Sequence, residues 1–443
     1  MTSAVAERLH AALLEDRTRG REAVRALQER AARDPYLKTT ADSRMLGRPL
    51  FLAASERDAL ERDLSGLVDL LLDLPDRLFD GDVAAMCDMT GLDAHQRAAV
   101  QATWRDRDVV LSRADLLRGA DGFRAIEVNV HSSLGGIDSG PWHRAFLSQA
   151  LYREFLAAEG LAYVDPLDGV ARALRSATQR RRLGDRPTVA IVDWPTTFPL
   201  YAPRLRRLAR LLEAHGFSAF ACHAGELELR DGRLVHGSRE IDVLYRIFLL
   251  GDVPEAPDLL DPILAAHASG TLLLAMGFAA ELVGNKASLA LLSEGVEGSG
   301  FGDAERALVR RLVPWTRLTL SAGEGLAELA VRRREQLVLK PADGHAARDV
   351  LLGSATSPRE WRAAVDRAIG AFWVLQERVR PLTELVPSVD TGDLGFDEVE
   401  VNWGVFVMSG RYGGTMLRAA PAARAGLIGA AHTAAIGCCF CEA

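Results

Sequence analysis

Apolar residues recur at three- and four-residue intervals through the first hundred positions, where Leu60, Leu64, Leu67 and Leu71 mark one stripe among charged neighbours. That spacing predicts helices, beginning with an amphipathic one in MTSAVAERLHAALLEDRTRG. Between about residues 106 and 140 the period falls to two and ends in a glycine-rich exit, which predicts two strands and a loop. The apolar run TVAIVDW, the helical PRLRRLARLLEAHG and the run FSAFACH then read as a β–α–β opening. LELRDGRLVHG carries an Asp-Gly hairpin turn, and IDVLYRIFLL reads as a buried strand. After residue 280 come helix NKASLALLSEG, strand EQLVLKP, helix SPREWRAAVDRAIG, strand FWVLQERV and the paired strands VEVNWGVFVMSG and RYGGTMLRAAP. The pattern is α+β, without internal repeats.

Composition narrows the classes. With 443 residues and 48% hydrophobic content the chain buries a large core and divides into two or three lobes. Its 53 basic and 60 acidic residues are dispersed, so no nucleic acid or anionic membrane partner is expected. The start lacks the apolar core of a secretory signal, and the windows LSGLVDLLLDL and GTLLLAMGFAAELV are too short or too interrupted to span a bilayer; a soluble, cytoplasmic protein is expected. Five cysteines make no disulfide framework. Cys438, Cys439 and Cys441 with His432 could form a zinc site, but thiols packing in a buried last strand, IGCCFCEA, is the favoured reading.

The segment VLSRADLLRGADGFRAIEVNVHSSLGG carries the most chemistry. With a turn centred on Asp121, antiparallel pairing sets Asp115 opposite Glu127 and Arg113 opposite Asn129, with all four on one face. Ile126, Val128 and Val130 fall on the other. Opposed carboxylates repel unless a cation lies between them. Asp115, Glu127 and the Asn129 amide would suit Mg²⁺, and Arg113 could equally neutralise the acids in a salt-bridge cluster.

R-x-D followed after eleven residues by E-x-N resembles the magnesium-binding hairpin of the glutathionylspermidine synthase-like, circularly permuted ATP-grasp ligases. The resemblance covers about residues 106 to 443. It implies a circularly permuted ATP-grasp core that follows the helical N-terminal region (1–105) read from the periodicity and comprises a metal-binding hairpin and substrate loop (106–185), a Rossmann-like βαβ substrate lobe (186–275) and nucleotide-binding lobes (276–443). NKASLALLSEG looks like the family's N-K-x-x-L helix and VLKP its K-P strand, so Lys286 and Lys340 would bind ATP phosphates. Gln376, Glu377 and the backbone near Val379 would form the adenine hinge. Arg418 would support the transferred phosphate. The loop after Lys340 has fewer glycines than the family's phosphate cover, with Arg348 as an added phosphate contact. His131, Ser132 and Ser133 would line a substrate pocket, and Arg246 is a weaker substrate candidate.

The function implied is ADP-forming ligation with ATP and Mg²⁺, in which a small-molecule carboxylate becomes an acyl phosphate and passes to an amine or thiol, including a carrier protein's phosphopantetheine thiol. Arg113 would stabilise the tetrahedral oxyanion. Replacing Asp115 or Lys340 by Ala is expected to leave the fold intact and abolish turnover. The competing readings are a noncatalytic nucleotide-binding regulator or scaffold, and a zinc hydrolase using the C-terminal cysteines.

Overall fold

The computed structural model describes residues 3–33, 44–90, 92–298, 300–320, 324–343, 349–390, 392–422, 428 and 434–442. An eight-stranded sheet forms the centre. Along its main path run Leu50–Leu52, Ala435–Glu442, Arg411–Pro421, Asp393–Met408, Leu111–Gly119 and Gly122–Val130, with Thr383–Asp390 and Leu161–Tyr163 pairing off it. The 111–130 hairpin therefore shares a sheet with the last fifty residues of the chain, which brings Asp115 beside Gly404 and Asn402 beside Arg418. The described residues between 3 and 103 are largely helical as the periodicity requires. The short strand Leu50–Leu52 was not foreseen there; it runs parallel to Ala435–Glu442.

Strands Leu273–Leu274, Val243–Arg246, Thr188–Asp193 and Ser218–His223 form a parallel sheet in that spatial order. Helix Phe198–Ala214 connects the 188–193 and 218–223 strands, so the anticipated β–α–β opening is present. The Asp-Gly turn is also there: Arg230 pairs with Arg233, and Asp231 and Gly232 take φ values of 51° and 75°, the left-handed pair that a two-residue hairpin needs. A third sheet, antiparallel, orders Thr316–Leu318, Trp373–Glu377, Leu337–Pro341 and Leu351–Leu352. Helices Glu324–Arg332 and Pro358–Ala368 cover it, with Trp361 fully buried and donating its indole N–H to the Ala330 carbonyl.

Among the described residues no helix is long and apolar enough to cross a membrane. Cys438, Cys439 and Cys441 are buried in the 435–442 strand, as the packing reading required, whereas His432 lies outside the described residues.

Candidate active site

The hairpin pairs Arg113 with Asn129 and Asp115 with Glu127. The pairing is reached by a different route from the one its sequence suggests. The turn is tighter, joining Gly119 to Gly122, and a bulge between the 115 and 116 pairs restores the register. Ile126 is the surplus residue, since Leu116 pairs with Ala125 and Asp115 with Glu127. As a result Ile126 leaves the core face expected for it and lines the cavity, while Ala125, Val128 and Val130 fill the core. Its carbonyl, free of the ladder, accepts from Lys340 Nζ at 3.3 Å.

A cavity of about 400 Å³ opens between this face of the central sheet, the third sheet and helix Lys286–Gly295. At one end the charged groups interlock. Arg113 donates Nε to Asp115 Oδ1 at 2.8 Å, one terminal nitrogen to Asp115 Oδ2 at 3.3 Å and the other to the Gly135 carbonyl at 3.0 Å. Arg418 donates to Asp115 Oδ2 at 2.6 Å. Asp115 is only 4% exposed; burial alone would raise its pKa, but Arg113 and then Arg418 outweigh that and hold it at about 2. Gly404, opposite Asp115, leaves room for this, because a Cβ there would sit 3.1 Å from Arg113 Cδ.

Helix 286–295 starts as its sequence suggests, with the Asn285 side chain capping the Ser288 N–H at 3.0 Å. The Lys286 N–H donates to the Ala342 carbonyl at 3.1 Å, which ties the helix start to the 337–341 strand. Lys286 Nζ lies 3.3 Å from Glu127 Oε1, so the anion expected beside this cation is, in the protein alone, Glu127. Lys340 Nζ donates to Gln376 Oε1 at 2.7 Å, and Gln376 in turn donates to Thr316 Oγ1 at 3.1 Å. Burial lowers the Lys340 pKa to about 8; Glu127 pulls upward and Lys286 downward.

Gln376 is thus a brace for Lys340 and has its amide group engaged on both sides. Glu377 sits 3.4 Å from Arg333, and its N–H goes to the Trp315 carbonyl. Val379 lines the cavity beside Leu117, Val338, Leu352 and Pro381, an apolar slot suited to a flat ring. Arg348 and the rest of segment 344–348 lie outside the described residues.

The other sequence candidates divide. His131 and Ser133 line the cavity. Ser132 lines the second cavity described below instead; its hydroxyl donates to the Arg246 carbonyl, and its own carbonyl accepts from Tyr245 Oη at 2.9 Å. Arg246 is drawn away from the site, fully buried against Glu281 and donating to the Phe248 carbonyl at 2.7 Å. The lining carboxylate of Glu400 and amide of Asn402 went unnoticed in the sequence. They were legible, since the tripeptide Glu-Val-Asn at 127–129 returns at 400–402. Asn402 is 4% exposed with its Oδ1 unpartnered, as is Asn129 Nδ2.

A second cavity of about 320 Å³ shares Ser133, Leu134, Gly135 and Leu249 with the first. It lies at the carboxyl ends of strands 188–193 and 243–246, where the chain switches from one side of the first strand to the other, the usual ligand crevice of a parallel sheet. Asp138 there is paired with Arg204 at 2.9 Å. Asp193, 2% exposed, has an unpartnered Oδ2; burial raises its pKa, and Asp252 adds to this.

For a divalent metal the hairpin supplies hard oxygen donors. A carboxylate has about four lone-pair positions; the three arginine hydrogen bonds to Asp115 leave it one, and Glu127 remains partly accessible. These residues fit Mg²⁺ that keeps waters and phosphate oxygens as its other ligands.

No protein-family model matches the chain, and no curated protein sequence matches it. Solved structures do. A glutathione synthetase-like effector (GSS30) from Globodera pallida, in its apo form, aligns over 90% of this chain and 90% of its own with a TM-score of 0.55 and 14% identity. D-alanyl-alanine synthetase A from Vibrio cholerae aligns over 49% of this chain and 67% of its own with a TM-score of 0.29 and 14% identity. What the effector and this protein share is the α+β fold.

Proposed function

We propose that the protein is an ATP-dependent, ADP-forming ligase that activates a carboxylate as an acyl phosphate and passes the acyl group to an amine. One observation carries this reading: the carboxylates of Asp115 and Glu127 and the Asn129 amide converge with Lys286, Lys340, Arg113 and Arg418 on one end of a cavity whose other end is an apolar slot. Such a pairing of charge and slot suits the triphosphate and base of a nucleotide.

In this reading Asp115, Glu127 and Asn129 hold Mg²⁺, which when bound neutralises charge across the phosphates. Lys286 and Lys340 exchange Glu127 and Gln376 for phosphate oxygens, so their positive charge is already oriented before the nucleotide arrives. The substrate carboxylate attacks the γ-phosphorus and ADP leaves; the amine then attacks the acyl carbon, phosphate leaves and the amine's proton is lost. Arg418 stays within reach of the transferred phosphoryl group. Arg113, anchored to both Asp115 and Gly135, positions the loop between the two cavities and faces the oxyanion of the second step.

The second cavity supports an amine over a thiol. Asp193 and Asp252 line it together with Asp138, and among the described lining residues the cation is Arg204, which pairs with Asp138. An ammonium group complements that charge and a thiol does not. An ADP-release assay across carboxylates with amine or thiol acceptors tests the reading: turnover requiring both a carboxylate and an amine is expected. Nucleotide binding without turnover for any pair would favour a noncatalytic binding protein, and turnover with thiols alone would move the acceptor to a carrier arm.

A further inference from the structure

Among the described residues the cysteine with metal-type company is Cys222, outside the C-terminal trio. Strand Ser218–His223, on the edge of the parallel sheet, ends in the turn Ala224–Glu226, and the Leu227–Arg230 and Arg233–His236 hairpin folds back beside it. Cys222 Sγ, a Glu226 carboxylate oxygen and a His236 ring nitrogen all lie within 4.8 Å of one another. Each is placed independently. Cys222 is buried at the strand end, in register with Val192. Glu226 Oε2 accepts the His223 N–H at 3.0 Å. His236 is set by its pairing with Leu227 and by packing on Phe220, with ring centres 5.1 Å apart.

The His236–Glu226 separation is longer than a hydrogen bond. His236 Nε2 is 3.8 Å from Glu226 Oε2, and His223 Nε2 is 3.7 Å from Glu226 Oε1. Charge-assisted hydrogen bonds close to about 2.7–2.9 Å. Donors around a tetrahedral ion with bonds of about 2.0–2.3 Å stand roughly 3.3–3.8 Å apart, which the His236–Glu226 separation matches, with Cys222 Sγ within 4.8 Å of both. The Nδ1 of His223 is buried without a partner, so the cluster is also incompletely satisfied as it stands. Thiolate, imidazole and carboxylate together select a zinc-class ion over magnesium.

We infer that Cys222, Glu226 and His236 form a zinc-class metal site, separate from both cavities, that fastens the 227–236 hairpin to the edge of the parallel sheet. The ion displaces the thiol proton to solvent, and its two positive charges are balanced by the thiolate and the carboxylate. Water completes the shell, while His223 steadies Glu226 from its other oxygen.

The test uses the full chain, stripped by chelator dialysis and titrated with Co²⁺ and then Zn²⁺. One equivalent of Co²⁺ should produce thiolate-to-metal charge-transfer absorption that Zn²⁺ abolishes. Cys222→Ser should remove that absorption and weaken zinc binding by at least about 10–100-fold. Because Cys222 is buried, the partly exposed His236→Ala provides a second arm: zinc should raise the Tm of the parent protein and leave that of this variant unchanged. Absence of the charge-transfer band in the parent protein, its persistence in Cys222→Ser, or an equal zinc-induced Tm shift in both proteins would overturn the assignment. None of these readouts depends on ligase activity.

Discussion

Asp115 is the residue at which the structure most changes what a substitution should do. Its carboxylate answers two largely buried guanidinium groups, so Asp115→Ala takes the carboxylate partner from both Arg113 and Arg418. Breaking a buried ion pair from one side costs about 3–5 kcal/mol, and Asp115→Ala should lower the unfolding free energy in urea by that order, contrary to the expectation of an intact fold. Glu127→Gln is the milder probe: its side chain is 25% exposed and the amide keeps an oxygen that can face Lys286, so its loss of stability should be smaller than that of Asp115→Ala. If Asp115→Ala unfolds no more easily than Glu127→Gln, the two-arginine clamp is unimportant.

Lys340 gives a pH prediction at the same scale. Its burial brings the ammonium pKa down to about 8 in the protein alone. A bound phosphate favours the charged form and raises that pKa. Nucleotide binding should therefore take up a proton between pH 8 and the higher bound value, with affinity falling as pH rises past 8. Calorimetry at pH 8.5 in two buffers of different ionisation heat should show this uptake, and at pH 6.5 the uptake should vanish. Equal heats at pH 8.5 would mean that Lys340 does not meet the phosphates.

At the scale of elements, the hairpin owes its usefulness to a bulge. Period-two alternation showed which residues share a face, because side-chain alternation is a local property of the strand. It could not show that the turn is two residues long and the surplus residue sits at Ile126, since both arrangements set Asp115 against Glu127. What the bulge adds is the Ile126 carbonyl offered to Lys340. Deleting Ile126 should regularise the ladder and keep the 115–127 pair, while nucleotide affinity falls about tenfold for want of one hydrogen bond to a charged group. Unchanged affinity in the deletion would leave the bulge without a role. Other misses have the same origin in long-range placement. Arg246 looked like a site residue from its strand position, but Glu281, thirty-five residues on, claims it. Asn402 and Glu400 repeat a visible tripeptide, yet only the pairing of Asn402 with Leu117 and Arg418 shows that it joins the hairpin's face.

Across the whole molecule, helices Ala4–Glu15 and Gly140–Leu147 are joined to the central sheet through groups that must stay neutral. His10 packs on Phe396, with ring centres 4.7 Å apart, and His143 stacks on Tyr163 at 4.0 Å. Burial, aided by Arg48 and Arg144 respectively, lowers each pKa to about 4. The unfolded chain takes up these protons first as pH drops below about 6.5, so the stability they contribute is present above that value and is lost toward pH 4. Tm should decline across this window, less steeply in His10→Gln; a Tm flat from pH 7 to 4.5 would contradict it. The α+β class, the order of the elements and the hairpin pairing were readable in the chain. The joining of strand 50–52 to the C-terminal strand was not, because three apolar residues carry too little periodicity to mark a strand.

The cavity lining as a whole remains positive, with Arg113, Lys286, Lys340, Arg378 and Arg418 against Asp115, Glu127, Glu377 and Glu400. A divalent cation alone is therefore poorly received, whereas a cation arriving with a nucleotide carrying roughly four negative charges is welcome. Mn²⁺ electron paramagnetic resonance reads this directly. The account predicts that the free Mn²⁺ signal persists when protein alone is added, is quenched at one equivalent once a nonhydrolysable ATP analogue is present, and is not quenched beyond the analogue's own effect in Glu127→Gln. Quenching by protein without nucleotide, or equal quenching in Glu127→Gln, would contradict it.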